Sequence, residues 1–469
     1  MSRHSLFLLA IVVLAIGIRV TYNITGERPH LITGTPELAY NIVANGHWFA
    51  YNARASEVLN ALNAQRHIDP ASVDYASLDR NGRWYPEILD TVGEVVVIAG
   101  VWTIAGSDSY IDVRILQGVV NGVLALLVYW IAIQLFARRR TALLAAALYA
   151  VYPPIAWGTS VLYNDTWAVD FTIAIVALYC VIMKSNRRWR WLIVCGLLTG
   201  IGAYFRPQVL VLAPVLAVAA VPTIGWRRAL RTGLVTTLVA LLVLVPWTVR
   251  NYNDFHAFVP ARTGLWQTML EGLHEVPSRF GEPFTEGRII EEVHRARPAL
   301  MVETPAWDSY LKHYFIQAVE QHPLSYLLVL AHRVAKATIW AHENLWMHRG
   351  AGAVLDYKGG LPALIVNRPL VVLEYALQPA VFLLAMLGLG LTWRRWRKQN
   401  MFLAAVILAV FVPYLAMHVE ERYLLPAFFA YFIWIALGVD LCVERLRERA
   451  RGRSARARVW PTRPSRTHA

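Results

Sequence analysis

The stretch ILQGVVNGVLALLVYWIAIQLFARRR, from Ile115 to Arg140, decides the fold of this chain. Residues Ile115–Ala137 contain no charged side chain, and three consecutive arginines follow them. A helix needs roughly 20 apolar residues to cross the hydrocarbon core of a bilayer. Apolar runs of similar length recur at Ser5–Tyr22, Thr232–Val249, Leu370–Thr392 and Phe402–His418. The pattern therefore predicts an all-α polytopic membrane protein.

The composition supports this class and excludes others. Of 469 residues, 57% are hydrophobic and 16% are charged, whereas soluble domains average about 25% charged residues. The net charge of +14 does not indicate a nucleic-acid partner, because the basic residues lie in short loops beside apolar runs, as the positive-inside rule requires. The three cysteines show neither metal-ligand spacing nor a disulfide framework.

The distribution of basic residues predicts which loops face the cytoplasm. The most basic short loops are Arg138–Arg140, Asn186–Arg190, Trp226–Arg231 and Arg394–Lys398. Placing them and the Arg-rich tail inside gives about ten spans, with both termini in the cytoplasm. The first apolar run lacks a small-residue cleavage site, so we interpret it as a retained first helix.

This topology divides the chain into four regions. A first transmembrane module covers 1–248 and includes an external loop, 23–111. Residues 249–368 form a second external region, 369–443 the last spans, and 444–469 a basic tail that we expect to be disordered and close to lipid headgroups.

The finer expectations concern five segments. They are a juxtamembrane helix at Val95–Ala105, a third span at Leu143–Val161, a helix break at Arg206-Pro207, a span emerging at Pro246-Trp247, and an amphipathic interfacial helix at His322–His342.

With this topology, the polar residues least expected in a membrane protein collect on the external side. They are Glu37, Glu87, Asp165, Arg206, Arg250, Lys336, His418, Glu420, Glu421 and Arg422. Each of them alone can be interpreted as a solvated loop residue or as an interfacial anchor. Together they place carboxylates and cations around one outer cavity. Arginine or lysine would stabilise a membrane-borne phosphate, and a carboxylate would act as general base toward a hydroxyl. The sequence has no Gly-rich nucleotide-binding loop.

Five local motifs, in order along residues 5–443, resemble the GT-C superfamily of integral membrane glycosyltransferases. The nearest branch is glycosyltransferase family 39, which includes protein O-mannosyltransferases and aminoarabinose transferases of lipid A. The motifs are Glu37-Leu-Ala-Tyr40 through Gly46, Tyr152-Pro-Pro154 through Asp165, Tyr204-Phe-Arg206-Pro207, Val245–Tyr252 followed by Phe258-Val-Pro260 and Leu270-Glu-Gly272, and His418–Pro426. Two places depart from the family pattern: Pro36 stands where an acidic residue is common, and the pair of prolines that often precedes the juxtamembrane helix appears here as Tyr85-Pro86-Glu87.

The resemblance implies a GT-C-type bundle of about ten spans, with external juxtamembrane helices and glycosyltransferase activity. Glu37 is the expected general base. The alternative is a purely structural role, in which its carboxylate near a helix N-terminus interacts favourably with the helix dipole. Asp165 is expected to orient the acceptor or a metal. The expected donor-phosphate ligands are Arg206, Arg250, Lys336 and Arg422. Expected acceptor or sugar contacts are Tyr40, Asn164, Glu87, His418 and Glu421. A divalent metal is left open as cofactor, with no ligand set assigned.

The implied reaction moves one sugar from a polyprenyl-phosphate donor to a protein, lipid or glycan acceptor. The expected location is a bacterial cytoplasmic membrane, with the active site on the external, periplasmic side. Two alternatives stay open: a flippase or transporter of a lipid-linked sugar, and a surface polysaccharide polymerase or ligase. A transporter is disfavoured because the span cores are nearly free of charge. The aromatics Trp48, Trp84, Trp266, Trp340 and Trp346 are candidates for stacking on sugar.

Overall fold

The structure is a computed structural model that describes residues 3–25, 34–64, 73–160, 164–185, 188–281, 286–302, 304–340 and 369–458. Within these ranges, helices dominate and one two-stranded antiparallel sheet is present. The helices of the first half are α1 Arg3–Thr25, α2 Gly34–Asn45, α3 Ala53–Ala64, α4 Val92–Ala105, α5 Tyr110–Phe136, α6 Arg139–Val151, α7 Pro153–Gly158, α8 Asn164–Lys184, α9 Arg188–Ala203, α10 Leu212–Ala219 and α11 Val221–Ile224.

The second half follows with α12 Trp226–Phe255, α13 Leu265–Leu273, α14 Glu286–Ala296, α15 Pro305–Gln321, α16 Pro323–Ala335, α17 Pro369–Thr392, α18 Arg397–Ala416, α19 Glu421–Leu424 and α20 Phe428–Arg458. The strands are β1 Ala50–Asn52 and β2 Trp84–Pro86. Short 3₁₀ turns lie at Tyr75–Ser77, Pro207–Val211 and Leu425–Ala427, and a π-helical turn lies at Lys336–Trp340.

Six helices in the described ranges are long and apolar enough to cross a membrane. They are His4–Thr25, Tyr110–Phe136, Asn164–Lys184, Trp226–Phe255, Arg397–Ala416 and Glu421–Arg449. Shorter apolar helices lie at Val92–Ala105, Trp189–Ala203, Pro207–Ala219 and Ala376–Thr392. The predicted all-α polytopic class is therefore confirmed, and the shorter helices Val92–Ala105 and Ala376–Thr392 overlap the apolar segments predicted at Val95–Ala105 and Leu370–Thr392.

The last long helix, α20, is the centre of the bundle. Almost every side chain from Phe428 to Leu437 is buried, and α20 packs against α6 and α17. On the other side, α1 packs on α5 and α6, α5 packs on α8, α8 on α9, and α9 on α12. Apolar side chains of these helices form one continuous core.

A polar network lies inside this apolar bundle. The Arg19 side chain of α1 is fully buried, and its Nε donates to Asn121 Oδ1 at 2.6 Å. Asn121 in turn donates to Asp170 Oδ1 at 2.5 Å, while Arg19 Nη1 donates to the Ala150 carbonyl at 2.9 Å. The network joins α1, α5, α6 and α8, so a buried charge is compensated by partners from three other helices.

Two small folded units extend from the bundle on the segments that the sequence predicts to be external, and we call them the first and second external units. In the first, α2, α3, α4 and the β1–β2 sheet surround a core that contains Leu38, Phe49, Val95, Trp102 and Trp247. In the second, α13, α14 and α15 pack around buried side chains that include Leu273 and Trp307. Each unit thus has its own core, which gives its polar residues fixed positions.

Local sequence explains where several helices begin and end. Gly106 in a left-handed conformation ends α4 (φ 64°), and the Ser109 hydroxyl accepts the Ile111 N–H at the start of α5. The predicted helix at Val95–Ala105 is confirmed as part of α4, and its position at the membrane interface stays a prediction. The predicted break at Arg206-Pro207 is confirmed too, because α9 ends at Ala203 and Arg206 is extended (φ −143°).

Two predictions about these segments were wrong. The predicted third span stops at Val151, because Pro153 and Pro154 disfavour helical backbone at Tyr152. The helix α12 runs through Pro246 to Phe255, since a proline inside a helix removes one hydrogen bond without always ending it, and the place where this span leaves the membrane stays a prediction. The basic tail, predicted as disordered from 444, is helical to Arg458, because Arg, Glu and Ala are favourable helix formers.

Candidate active site

Two arginines and one carboxylate form the centre of the candidate site. Arg206 pairs with Asp165, and Arg422 Nε lies 3.8 Å from Asp165 Oδ2. The guanidinium carbons of Arg206 and Arg422 lie 4.8 Å and 4.9 Å from the centre of the same Tyr423 ring. Two cations held this close need a compensating anion and a π face, and Asp165 and Tyr423 supply them.

Each member of this centre comes from a chain break on the same side of the bundle. Asp165 lies in the first turn of α8, Arg206 precedes the 3₁₀ turn that follows α9, and Arg422 lies in the short helix α19 between α18 and α20. The side chains of Arg206 and Arg422 keep 14% and 22% of their surface exposed. Part of each arginine side chain is therefore accessible, whereas Asp165 is buried at 5%, and we call the partly accessible surroundings of the two arginines the recess.

A chain of charged groups leads from Arg422 into the second external region. Arg422 pairs with Glu420, and His418 Nε2 lies 3.2 Å from Glu420 Oε1. On its other side, His418 Nδ1 lies 2.6 Å from Glu275 Oε1. Burial lowers the pKa of His418, but the two carboxylates outweigh it and raise the pKa to about 9. His418 is therefore a cation at neutral pH that bridges two anions.

Glu275 is the deepest member of this chain of charges. Its side chain is 2% exposed, and it pairs with Arg333 at 2.9 Å and with Lys336 at 3.1 Å. Burial raises the pKa of Glu275, but His418, Lys336 and Arg333 outweigh it and lower the pKa to about 2. Arg333 also donates to the Leu415 and Ala416 carbonyls. Glu275 thus ties α16 to the end of α18.

The predicted motif Leu270-Glu271-Gly272 has a packing role here. A Cβ atom at Gly272 would collide with the Met417 carbonyl oxygen and with the Arg333 guanidinium. Only glycine allows α13 to approach the 417–422 segment this closely, so the glycine brings Glu275, three residues further on, within reach of His418.

The turn that precedes α4 forms another wall of the site. Asn164 Nδ2 donates to Thr91 Oγ1 at 3.3 Å, and the Asn164 N–H donates to the Glu94 carboxylate. The Gly93 N–H donates to the Tyr204 carbonyl at 3.1 Å. Residues 90–94 are therefore held against the neighbours of Asp165 and of Arg206.

Asp90 in this turn is partly exposed and accepts a hydrogen bond from the Thr35 hydroxyl at 3.1 Å. Burial and the nearby Glu87 raise the pKa of Asp90 to about 7, against the lowering effects of Arg262 and of Thr35. Arg262 is also partly exposed. The first external unit thus adds one carboxyl, and the segment after α12 adds one further cation, to the surroundings of the two central arginines.

The structure places Glu37 inside the first external unit. Its carboxylate is 2% exposed and accepts from the Ser56 hydroxyl at 3.5 Å. Burial raises the pKa of Glu37 to about 6, although Asn41 and Arg80 lower it. The nearby Tyr40 ring lies under the Arg80 guanidinium, 4.7 Å from it. These contacts connect α2, α3 and the turn at Arg80, and the predicted catalytic role of Glu37 stays a prediction.

Arg250 and Glu87 also make contacts within this unit. Arg250 donates to the Glu87 carbonyl at 2.6 Å and to the Phe49 carbonyl at 2.9 Å, and it pairs with Asp254 at 2.8 Å. The Glu87 carboxylate accepts the N–H groups of Ile88 and Leu89. Arg250 therefore anchors the ends of the β1–β2 sheet to α12, and its predicted phosphate contact stays a prediction.

Glu421 differs from its neighbours in the same motif. It is 2% exposed and accepts from the Tyr152 hydroxyl at 3.3 Å. It therefore joins α19 to the turn before α7. A direct sugar contact is not supported by this burial, whereas Asn164 and His418 lie next to the central arginines and their predicted contacts remain proposals.

Apart from Glu421, the predicted site residues thus separate into two groups. Asp165, Asn164, Arg206, His418, Lys336 and Arg422 belong to one connected set of contacts around the recess. Glu37, Tyr40, Glu87 and Arg250 stabilise the first external unit. Sequence reasoning missed Asp90, Glu94, Arg262, Glu275 and Arg333. The available signal was weak, since each stands a few residues outside a recognised motif.

The predicted aromatic contacts have mixed placements. Trp48 is 55% exposed, the Trp84 ring stacks on His47 at 3.7 Å, and Trp266 packs beside Phe315. Trp346 and the side chain of Trp340 lie outside the described residues. Among described residues, no group of three or more His, Cys, Asp or Glu side chains is arranged to hold a metal ion. A divalent metal cofactor therefore stays open, and no ligands are assigned to it.

The fold and the site together define a multi-pass membrane protein with a cluster of charged side chains on the loops that join its helices. Residues 95–249 match the family model described as dolichyl-phosphate-mannose-protein mannosyltransferase. This match covers α4 to α12 and includes Asp165 and Arg206. It confirms the resemblance to GT-C glycosyltransferases that the motifs predicted.

Curated relatives carry the name undecaprenyl phosphate-alpha-4-amino-4-deoxy-L-arabinose arabinosyl transferase. The protein from Erwinia tasmaniensis is 29% identical over 208 residues, which are 40% of this chain and 37% of the relative. The one from Pseudomonas aeruginosa is 34% identical over 165 residues, which are 32% of this chain and 30% of the relative. The matched part therefore spans about a third of each relative's length.

A solved structure supports the fold over nearly the whole chain. The archaeal oligosaccharyltransferase AglB from Archaeoglobus fulgidus, in complex with an inhibitory peptide and a dolichol-phosphate, superposes with a TM-score of 0.53 and 12% identity. The superposition covers 98% of this chain and 52% of AglB. At this identity the likeness shows the fold alone, and it confirms the predicted GT-C-type bundle.

Proposed function

We propose that this protein is a membrane glycosyltransferase that moves a sugar from a polyprenyl-phosphate carrier to an acceptor hydroxyl on the external side of the membrane. The observation that carries the proposal is the pair Arg206 and Arg422, partly exposed and facing one Tyr423 ring. Two guanidinium groups side by side match the oxygens of a phosphate, which they bind through charge-assisted hydrogen bonds.

The reaction needs stabilisation of the leaving phosphate. When the acceptor oxygen bonds to the anomeric carbon, the bond from that carbon to the phosphate oxygen breaks, and the lipid phosphate gains a negative charge. Arg206 and Arg422 would hold this charge where it develops, and interactions that are stronger in the transition state lower the barrier. Asp165, buried behind both, keeps them oriented while the site is empty.

The location of the recess fits a lipid carrier. Its residues lie at the ends of apolar helices, where the phosphate of a carrier whose tail stays in the bilayer would be found. The names of the curated relatives contain undecaprenyl phosphate, and AglB was solved in complex with a dolichol-phosphate. These two lipid phosphates support a lipid-phosphate donor for this chain. The sugar and the acceptor stay open between mannose, an aminoarabinose and others, and between protein, lipid and glycan.

The test is single-turnover transfer in membrane vesicles of a bacterial host that supplies native acceptors. Radiolabelled undecaprenyl-phosphate mannose and undecaprenyl-phosphate 4-amino-4-deoxy-L-arabinose serve as first donors. We expect label to move from the donor into a protein, lipid or glycan fraction in native membranes. Arg206→Gln and Arg422→Gln should reduce this transfer, whereas Arg54→Gln should not, because Arg54 forms an exposed ion pair with Asp79.

Vesicle orientation tests the side of the reaction. Transfer should occur when the external face is accessible to added donor, as in right-side-out vesicles. Movement of the labelled donor across the bilayer without transfer to any fraction, equal in native protein and in both arginine variants, would overturn the proposal and favour the transporter alternative.

A further inference from the structure

The proposed transfer also requires a group that takes the proton of the acceptor hydroxyl. A hydroxyl loses its proton only far above neutral pH, so a positioned carboxylate must accept it as the new bond forms. The carboxylates around the recess differ in two properties that decide this role: whether an acceptor can reach them, and whether a cation already occupies them.

Most of these carboxylates fail one of the two conditions. Asp165 is 5% exposed and paired with Arg206. Glu420 is paired with both Arg422 and His418, and these cations outweigh burial and lower its pKa to about 2, which makes it a weak proton acceptor. Glu94 is 4% exposed and Glu37 is 2% exposed, so an acceptor hydroxyl cannot approach either of them without rearrangement.

Asp90 meets both conditions. It is partly exposed although protein surrounds it, and its one hydrogen bond among the described contacts comes from the neutral Thr35 hydroxyl, on Oδ1. Oδ2 is therefore left to receive a proton. Arg262 is near enough to influence its charge, and this residue can orient an incoming hydroxyl or its attached anion.

The position of Asp90 relative to the arginines is fixed by backbone contacts. Thr91, the next residue, is hydrogen-bonded by Asn164, which precedes Asp165. Gly93 is hydrogen-bonded to Tyr204, two residues before Arg206, and a Cβ atom at Gly93 would meet the Phe205 ring at 2.5 Å. The turn that contains Asp90 is therefore held against the segments that carry Asp165 and Arg206, and Glu94 of the same turn is near enough to Asp90, Asp165 and Arg206 to be influenced by the charge of each.

We infer that Asp90 is the catalytic carboxylate that accepts the proton of the acceptor hydroxyl, a role that rests on the proposed function. In the balanced step, the acceptor oxygen forms a bond to the anomeric carbon, and its proton passes to Asp90 Oδ2. The carbon–oxygen bond to the lipid phosphate breaks, and the electron pair leaves with the phosphate. The proton is then released to solvent from the partly exposed side of Asp90.

The charge state of Asp90 supports this role. With a pKa of about 7, the group is ionised in a useful fraction at neutral pH and is still basic enough to accept a proton, which is the best compromise for general base catalysis. The charged groups that face it are Glu87, Arg262 and Glu94. A raised pKa would suit Glu37 as well, so accessibility is what separates the two.

The experiment compares Asp90→Asn, Asp90→Glu, Glu37→Gln and Asp79→Asn in the transfer assay, together with equilibrium binding of radiolabelled undecaprenyl phosphate to the purified proteins. Asp79 is a matched control, because it is an aspartate of the same external loop whose side chain is 45% exposed. We expect Asp90→Asn to slow transfer by about 10² or more and to bind undecaprenyl phosphate as the native protein does. Asp79→Asn should keep most of the transfer rate, and loss of transfer in Glu37→Gln together with native transfer in Asp90→Asn would return the role to Glu37 and overturn the inference.

The pH profile of the native protein is a second measurement that needs no variant. A base must be ionised to accept a proton, so the transfer rate should rise as pH rises through about 7 and then level off. Asp90→Glu should transfer more slowly with a displaced profile. A native profile that is flat through this range, or native transfer rates in Asp90→Asn, would overturn the inference while leaving the proposed function intact. Absence of transfer in the native protein would instead overturn the proposed function.

Discussion

Glu275 Oε1 accepts the backbone N–H of Val419 at 2.9 Å, although 144 positions separate the two residues. The same oxygen is 2.6 Å from His418 Nδ1 and 3.1 Å from Lys336 Nζ. One buried carboxylate therefore fixes the backbone and a side chain of the segment that carries Arg422. The position of a central arginine depends on a residue in a different external unit.

This relationship predicts a pH dependence of stability. The pKa of Glu275 is lowered from 4.5 to about 2, so its contribution is complete above about pH 4.5 and is lost as pH falls through 2. The pKa of His418 is raised from 6.5 to about 9, so its contribution is complete below about pH 6.5 and is lost as pH rises through 9. Both share one ion pair and do not add. We expect the apparent unfolding temperature in detergent to be highest between about pH 4.5 and 6.5 and to decrease toward pH 9.

His418→Gln isolates the alkaline part of this dependence. The variant should have a lower unfolding temperature at pH 6 and a weaker decrease between pH 6.5 and 9. His332→Gln is the matched control, because His332 is exposed on α16, one residue before Arg333. An unchanged alkaline decrease in His418→Gln would contradict the assignment of the raised pKa to this ion pair.

The second prediction concerns the geometry of Arg206. Lysine at this position would keep the positive charge and lose the planar fork that can pair with Asp165 and a phosphate at the same time. Arg206→Lys should weaken binding of undecaprenyl phosphate by about tenfold to a hundredfold, because a hydrogen bond to a charged group contributes roughly 1.5–3 kcal/mol. Equilibrium binding with the purified protein measures this, and Arg54→Lys provides the exposed control. Native affinity in Arg206→Lys would show that charge alone suffices.

The third prediction concerns the close approach at Gly272. Alanine has a higher helix propensity than glycine by about 1 kcal/mol, so Gly→Ala in a helix ordinarily stabilises. In α13, however, the new Cβ would collide with the Met417 carbonyl and Arg333, and overpacking typically costs about 1–3 kcal/mol. We expect Gly272→Ala to lower both the unfolding temperature and the transfer rate, because the segment before Arg422 must shift.

Gly287→Ala in α14 is the control for this change, since no atom lies within 4 Å of the added Cβ. It should leave transfer unchanged and stability equal or slightly higher. Equal effects of the two substitutions would contradict the close packing of α13 against the 417–422 segment.

The membrane class and most apolar helices were predictable from sequence, because a run such as Ile115–Ala137 admits few other structures. Site residues inside recognised motifs, such as Asp165 and Arg422, were also predictable from sequence, because these motifs lie at the ends of apolar helices. The break at Arg206 followed from the chemistry of Pro207.

The rest depends on contacts that join distant segments. Glu275 has no local pattern, and its role exists only because α13 approaches Met417. Asp90 was missed since a lone aspartate before a helix reads as an ordinary turn residue, and its importance comes from Asn164 and Tyr204 holding the turn in place. Glu37 shows the opposite case: its motif is recognisable, but the folded loop buries its carboxylate.

The buried Arg19 has a consequence for how the protein enters the membrane. An arginine in a lone transmembrane helix is costly, by up to about 2.5–3.5 kcal/mol at the helix centre on insertion scales, and Arg19 lies in the second half of α1. The residues of its network, Asn121 and Asp170, are synthesised about 100 and about 150 residues later. The first helix is therefore least stable in the bilayer while it is alone, and it is fully stabilised only after α5 and α8 have been inserted. Membrane insertion of this chain should accordingly depend on a factor that binds the first helix, or on an insertion machinery that retains this helix until α5 and α8 have been synthesised.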